Sequence, residues 1–509
     1  MKMKTVLPYS LMLCALVLFC ACGDSSKYAD IIPANASTVV KLNVSQMLKK
    51  ADVGDADQKF VTDKLKTEID QQYPASLAEQ LKKIVDNPST SGIDFSEPMY
   101  LYNVVSDSIS VQGLVFKMDS KDDMTAVVKS FMDANKKGQF VEGDTCNRYS
   151  FEGYEIVYNE NSLLVAKMEN CDPTIVQTSL YNQFLATKDN SFRSQMGYES
   201  MEKQETDIAI YVSMADVNML RLAKYSPMNM VTKILPDGLP LETFYINATL
   251  NFGDGELTAT AGMSSTDPEM QKKLDAALEK KETIEGDLVQ YIPSDALMCL
   301  VLNLQGGNVA KQFHQVIAKI GLLQNSQLVA LKQFLENIDG DVVFSALQVN
   351  VEKASESNIA LLAKVKSIDP VNNLAKNLEG FSDLGNNKYM FDFSNVTYYY
   401  GATNQVMYVT NDSDISSLIP ASKPVDVSLA KGKLFYLSLN NKELFHTIAP
   451  KMDDLSKKPV AKKFVADMDC LVFFVNKDGI AEAKMSLTDT SDNILKTFVA
   501  MVKELSSHE

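Results

Sequence analysis

Ile32-Pro33-Ala34-Asn35-Ala36-Ser37-Thr38-Val39-Val40-Lys41-Leu42-Asn43-Val44 recurs further along the chain as Ile292-Pro293-Ser294-Asp295-Ala296-Leu297-Met298-Cys299-Leu300-Val301-Leu302-Asn303-Leu304. Further landmarks follow in the same order. Arg148-Tyr149-Ser150-Phe151 is answered by Lys388-Tyr389-Met390-Phe391, and Ile210-Tyr211-Val212-Ser213 by Phe435-Tyr436-Leu437-Ser438. Gly253-Asp254-Gly255 then meets Lys477-Asp478-Gly479, and Met263-Ser264-Ser265-Thr266-Asp267 meets Met485-Ser486-Leu487-Thr488-Asp489. The offset between matched residues falls from 260 to 222 along the series. Collinear landmarks with shrinking gaps predict a tandem duplication whose second copy has lost residues between the matched strands. The rival reading is that any two α+β stretches share Ile-Pro and Asp-Gly turns. The modules are placed at 28–285 and 286–507, joined near Glu279-Lys280-Lys281-Glu282, where charge rises and apolar periodicity lapses.

In the first copy, β-rich or alternating runs occupy 37–44, 98–105, 109–118, 148–158, 162–168, 207–213, 243–252 and 256–263. The turns at 251–256 and 476–479 each join two such runs and read as antiparallel hairpins. Asp172-Pro173, Asp267-Pro268 and Asp369-Pro370 place a capping carboxylate before a proline at the first helical position. Helical spacing appears at Leu77, Leu81, Ile84 and Val85, and again at Val127, Val128 and Phe131, offering one face to a sheet. The expected fold class is α+β: two homologous tandem modules, each a largely antiparallel sheet flanked by helices.

At the N-terminus, Lys2 and Lys4 precede an apolar stretch ending at Phe19, followed by Cys20-Ala21-Cys22-Gly23-Asp24-Ser25-Ser26. That order resembles a bacterial lipoprotein signal, with residues 1–21 as the leader and Cys22 as the lipid attachment site. Two other readings compete with it. Val6 to Ala21, with Pro8 inside it, falls short of the roughly 20 apolar residues that span hydrocarbon. Ordinary cleavage beside Ala21 or Gly23 would instead release a soluble protein, and Phe19 stands where such signals usually carry Leu. Residues 22–27 form a short tether to Tyr28, and at about 3.5 Å per extended residue it reaches under roughly 20 Å. The expected location is the cell envelope, as an outer membrane lipoprotein facing periplasm or cell surface.

The 509 residues carry 49 basic against 65 acidic side chains; loss of Lys2 and Lys4 with the leader takes the net charge from −16 to −18. Nucleic acid is thereby disfavoured as a partner. Arg148, Arg193 and Arg221 are the only arginines, so bidentate clamping of phosphate or carboxylate is poorly equipped. The acidic excess argues for tethering through Cys22 alone, without a second electrostatic contact to anionic lipid.

The opening Tyr28-Ala29-Asp30-Ile31-Ile32-Pro33-Ala34-Asn35-Ala36 directly after the lipobox, the Leu-Asn-Val strand end and the duplicated plan resemble an uncharacterised Bacteroidetes lipoprotein family, domain of unknown function 4836. The resemblance spans nearly the whole mature chain. Its motifs are strand and turn residues, so it implies location and fold and brings no site or activity.

Chemistry-bearing motifs are sparse. His314, His446 and His508 lack a histidine at i+3 or i+4, and no G-x-S-x-G elbow is present. Cys146 and Cys171 bracket a hairpin and form a candidate disulfide, if their Cα atoms approach within about 7 Å. Cys299 and Cys470 lie in apolar strand runs and read as core residues. Asp52-Val53-Gly54-Asp55-Ala56-Asp57 and Asn411-Asp412-Ser413-Asp414 fit no calcium loop and read as turns or caps. Gly306-Gly307-Asn308 has no accompanying Gly-Lys-Ser/Thr and reads as a tight turn rather than a phosphate cradle. Tyr398-Tyr399-Tyr400 could stack sugars, though strand alternation turns at least one ring inward. No cofactor or metal is expected. The leading expectation is a non-catalytic envelope protein that binds or scaffolds a partner, protein or glycan, through the crevice between the modules. The alternatives are an envelope hydrolase with an unrecognised carboxylate or serine site, and a glycan-binding lipoprotein.

Overall fold

The Ile-Pro stretch forms the same turn twice in the computed structural model. Ile32 and Ile292 are both fully buried. The carbonyl of Pro33 accepts the Ala36 N–H at 3.0 Å, and that of Pro293 accepts the Ala296 N–H at 3.1 Å. Each turn delivers the chain into a strand rich in β-branched and apolar residues, which suits a pleated surface with two packed faces. The structure describes residues 26–52, 55–105, 110–135, 138–169, 172–202, 205–215, 240–307, 310–311, 326–349, 357–377, 380–393, 395–440 and 467–506. The chain divides into two units, Met1–Asp254 with Ala261–Lys272 and Asp492–Ala500, and Gly255–Thr260 with Lys273–Ser491 and Met501–Glu509.

Strands of the first unit are β1 (Thr38–Leu42), β2 (Met99–Val105), β3 (Ser110–Lys117), β4 (Gln139–Val141), β5 (Asn147–Phe151), β6 (Tyr154–Tyr158), β7 (Ser162–Glu169), β8 (Ile208–Ser213) and β9 (Phe244–Phe252), with Ala261–Ser265 of β10 (Glu256–Ser265). They pair antiparallel in the order β9-β8-β1-β2-β3-β7-β6-β5-β4, and β10 lies on β9. One face is covered by the helices Pro173–Phe184 and Met196–Glu202 and the turn Ser26–Ile31, around Val39, Tyr100, Val115 and Leu164. On the other face, Met124 and Val128 of the helix Lys121–Asn135 join Phe116, Tyr149, Tyr158 and Leu163, while the buried Phe131 lies with its ring 6.4 Å from that of Tyr73. Val127 stands at the edge of that helix's buried stripe. The helices Asp55–Gln72 and Ala75–Asp86 pack on each other through Leu65, Ile69, Ala78 and Val85.

The second unit contains β11 (Met298–Gln305), β12 (Ile338–Gln348), β13 (Asn358–Val365), β14 (Phe381–Asp383), β15 (Lys388–Phe393), β16 (Val396–Thr403), β17 (Val406–Thr410), β18 (Phe435–Asn440), β19 (Met468–Val475) and β20 (Ala481–Leu487). Their antiparallel order is β20-β19-β18-β11-β12-β13-β17-β16-β15-β14. Each strand therefore occupies the place that the strand ten numbers earlier holds in the first unit. The register repeats as well. Ladder partners read outward from Val39 are Tyr102, Gly113, Ala166, Glu155 and Ser150. Read outward from Cys299 they are Ser345, Ala360, Thr410, Tyr399 and Met390. After five ladder steps the two paths end on Ser150 and Met390, a pair that sequence matching had already aligned.

Four local expectations are changed. The run 148–158 is a hairpin of β5 and β6, because Glu152 and Gly153 both take positive φ, 44° and 85°, the geometry of a two-residue turn. The stretch 139–141, unassigned from sequence, adds β4 to β5. Tyr211 pairs with Val39 while Cys299 pairs with Ser438, so Ser438 rather than Tyr436 holds the ladder place of Tyr211. A shift of two residues keeps the same face, which is why the sequence match survives it. Asp369 is the first helical residue of Asp369–Asn377, and its N–H donates to Ser367 Oγ at 3.2 Å, so Ser367 supplies the capping oxygen. The caps at Asp172 and Asp267 stand as expected: Asp172 accepts the Thr174 N–H at 2.8 Å, and Asp267 accepts the Glu269 N–H at 2.8 Å.

Gly113 illustrates how the sheet is fitted. A Cβ there would lie 2.1 Å from Cε1 of the Tyr102 ring, which covers the glycine from the neighbouring strand. In the second unit the corresponding places hold Ser345 and Ala360, a smaller partner and a residue with a Cβ. Gly113→Ala is therefore expected to destabilise the protein by about 1–3 kcal/mol through overpacking. Urea denaturation would read it, and an unchanged midpoint would mean that Tyr102 yields at no cost.

Candidate functional site

Strand alternation places Lys41 beside Val39 on the buried face of β1, directly opposite Tyr100 of β2. A lysine there needs a partner, because an unpaired ammonium in a core is strongly disfavoured. The end of the helix Met196–Glu202 supplies one. Lys41 Nζ lies 3.1 Å from Glu202 Oε1 and 3.5 Å from the Met201 carbonyl, and the Tyr100 hydroxyl donates to the same Oε1 at 2.9 Å. The Tyr28 ring sits 5.7 Å from that of Tyr100 and its hydroxyl donates to the Pro98 carbonyl at 2.5 Å. Burial, with the charges of Glu97 and Glu202 added, drives the Tyr28 phenol far above its ordinary value. Tyr100 is raised in the same way, by burial first and by Tyr28 and Glu202 after it. Both phenols are thus neutral hydrogen-bond donors at physiological pH and cannot serve as bases. Nearby, Arg193 Nη1 lies 2.8 Å from Asp30 Oδ1, and the guanidinium sits 5.6 Å from the centre of the Tyr198 ring.

The second unit builds nothing similar at these places. The residues holding the ladder positions of Lys41 and Tyr100 are Val301 and Val343, both fully buried. A second polar position differs in a subtler way. In the first unit Arg148 Nε lies 3.9 Å from Glu155 Oε2, and Ser150 donates to that oxygen at 2.6 Å. Burial raises the Glu155 carboxyl, opposed by Ser150 and Arg148. At the corresponding places Lys388 Nζ sits 4.8 Å from the Tyr399 ring centre and donates to Ser416 Oγ at 3.0 Å. One cation meets a carboxylate and the other an aromatic face, each on the neighbouring strand, and Lys388 also reaches Ser416 in the turn Ile415–Ser417 outside the sheet.

Two buried carboxylates escaped sequence reading. Asp207 Oδ2 accepts from Lys50 Nζ and from the Phe252 N–H, each at 2.7 Å. Asp341 accepts the Gly286 N–H at 2.6 Å, the Glu285 N–H at 3.1 Å and Asn303 Nδ2 at 3.3 Å. Asp341 ties the loop backbone at 285–286 to β12, and Asp207 ties the entry to β8 to the end of β9, both structural tasks. Their only signal in the sequence is an acid at the mouth of an apolar run.

Cys22, Cys171, His314, His446 and His508 lie outside the described residues. Cys146 is buried, and desolvation raises its thiol despite the opposing charges of Arg148 and Lys121. Burial pushes the Cys299 thiol up to about 12 and raises Cys470 as well, so neither is a ready nucleophile. Asp412 accepts the N–H groups of Asp414 and Ile415, each at 3.0 Å, as a turn cap. Asp52 pairs with Lys496 at 3.2 Å, while Val53 and Gly54 lie outside the described residues. Among the described residues no group of three or more His, Cys, Asp and Glu could hold a metal ion. Gly306 packs against the Leu335 carbonyl, where a Cβ would come within 1.9 Å, and Asn308 lies outside the described residues. Tyr400 is buried, Tyr398 stacks on Phe391 at 5.4 Å, and Tyr399 takes the opposite face under Lys388. The triplet therefore does not present its rings side by side.

A model of the family described as "Domain of unknown function (DUF4836)" matches residues 28–495. No curated protein matches the chain. Among solved structures, crystal form I of TP0453 is 12% identical with a TM-score of 0.27, covering 50% of this chain and 86% of its own. Crystal form III of TP0453 is 11% identical with a TM-score of 0.27, covering 52% of this chain and 91% of its own.

Proposed function

Because the chain belongs to the DUF4836 family over residues 28–495, we propose that it is a lipid-anchored envelope protein, built from two duplicated sheet modules, that binds or scaffolds a partner rather than catalysing a reaction. The observation that carries the location is the leader through Ala21 followed directly by Cys22-Gly23, which provides a thiol for acylation one short tether before the family region. Two acyl chains already give stable anchoring, at about 0.8 kcal/mol per buried CH₂. Among the described residues no helix is long and apolar enough to cross a membrane. The duplication is supported by the common strand order and by the two ladder paths ending on the aligned pair Ser150 and Met390.

The non-catalytic side of this reading is supported by how the described polar side chains are spent. Glu202, Glu155, Asp207 and Asp341 each meet a cation, a hydroxyl or backbone N–H groups, and the thiols of Cys146, Cys299 and Cys470 are raised by burial. Placement at the outer membrane belongs to the same proposal. Mild crosslinking in cells followed by purification is expected to capture a reproducible protein or glycan partner. Recovery of lipid alone in repeated trials would remove the scaffold role.

A further inference from the structure

The helix Pro173–Phe184, Pro-Thr-Ile-Val-Gln-Thr-Ser-Leu-Tyr-Asn-Gln-Phe, contains no charged residue, in a chain where 22% of residues are charged. One side is committed to the core: Leu180 and Phe184 join Tyr28, Ala29 and Ile31, and Gln183 accepts from the Tyr102 hydroxyl at 3.0 Å. On the other side Ile175, Tyr181 and Leu185 are 57%, 46% and 55% exposed. At 3.6 residues per turn these three fall within an arc of about 120°. Thr174, Thr178 and Asn182 fill the rest of that arc, so the exposed surface is neutral throughout.

What covers this face follows from where the chain leaves it. The helix packs directly on the turn Ser26–Ile31, and Lys27 at its start is exposed. Four residues of extended chain, from Cys22 to Ser26, reach at most about 14 Å. An acylated Cys22 would therefore enter its bilayer within about 14 Å of Ser26, on the turn against which this helix packs. A body of net charge −18 is repelled by anionic headgroups, and a neutral apolar face is the surface that approaches them at least electrostatic cost. Tyr181 suits the interface, with an apolar ring and a wet hydroxyl, here 3.0 Å from Thr145 Oγ1.

We infer that the outward face of the helix Pro173–Phe184, through Ile175, Tyr181 and Leu185, docks on the lipid bilayer that holds the Cys22 anchor. The inference rests on the anchor proposed above and adds to it a fixed orientation: the lipid tethers, and the helix face sets which side of the first unit meets the membrane.

The chain contains no tryptophan, so Tyr181→Trp installs a single indole, excited at wavelengths the tyrosines do not absorb, in the full-length lipidated protein. The protein is mixed with phosphatidylethanolamine–phosphatidylglycerol vesicles whose acyl chains are plain or brominated. Flotation reads the anchor, and emission reads the docking. An interfacial helix seats its apolar face about 5–10 Å into the headgroup boundary, so the emission should shift to the blue and lose about half its intensity or more to bromine. Leu185→Trp should report the same, which guards against a misfolded single variant. Protein that floats with emission unchanged and insensitive to bromine overturns the docking and leaves the anchor standing. Protein that fails to float withdraws the anchor and the docking with it. Blue-shifted emission present without vesicles and indifferent to bromine assigns the face to a second copy of the chain, which also overturns the inference.

Discussion

Cys22→Ser is expected to abolish incorporation of labelled palmitate and to leave a larger protein that retains residues 1–21. Acylation of a lipoprotein starts from a thioether, and a serine hydroxyl is far too weak a nucleophile to replace the thiolate. Cys14 and Cys20 remain in the variant, so their failure to take label would place the modification at Cys22 and not merely somewhere in the leader. Without a thiolate at position 22 the first bond to lipid cannot form, so no chain is added at that position. Label should fall more than about tenfold, to background. Unchanged labelling in Cys22→Ser would move the attachment elsewhere, and unchanged processing with no label in either protein would favour ordinary cleavage beside Ala21 or Gly23.

Asp341→Ala is expected to cost the second unit about 3–5 kcal/mol. The carboxylate is fully buried and takes hydrogen bonds from the Glu285 and Gly286 N–H groups and from Asn303 Nδ2. Hydrogen bonds to a charged acceptor contribute about 1.5–3 kcal/mol each, and truncation leaves their donors buried without partners. The same loop carries Ile284, Leu288 and Val289 into the core, so freeing its backbone loosens packing as well. Asp341→Asn keeps one acceptor oxygen and should lose less than the alanine variant. Urea denaturation, followed as two transitions if the units unfold separately, reads the effect. A loss below about 1 kcal/mol in Asp341→Ala would mean that water or neighbouring side chains take over the donors.

Local features were legible where one short segment contains its own cause. Ile32-Pro33 and Ile292-Pro293 fix turns through the proline carbonyl, Asp172 and Asp267 cap the helices they precede, and Gly479 with φ of 79° closes the hairpin that its Asn-Lys-Asp-Gly sequence announces. The break at Glu152-Gly153 was available to the same reasoning, but continuous β-propensity on both sides hid it. Features made by register were not legible. Lys41, Tyr100 and Glu202 converge across 59 to 161 positions, and nothing near Lys41 in the chain indicates that Glu202 will meet it. The five-step ladder path from Val39 to Ser150 likewise exists only once the strands are ordered. An uncharged helix such as Pro173–Phe184 gives no sign in its sequence of which side is solvent, because amphipathic reading needs polar contrast that this helix lacks.

Intact-mass spectrometry of the protein purified from its native membrane bears most directly on the proposed anchor at Cys22. A chain beginning at Cys22, heavier than residues 22–509 by a diacylglyceryl group with or without an amide-linked acyl chain, is the mass expected. A chain that retains residues 1–21, or that begins near Gly23 with no added lipid, would contradict it.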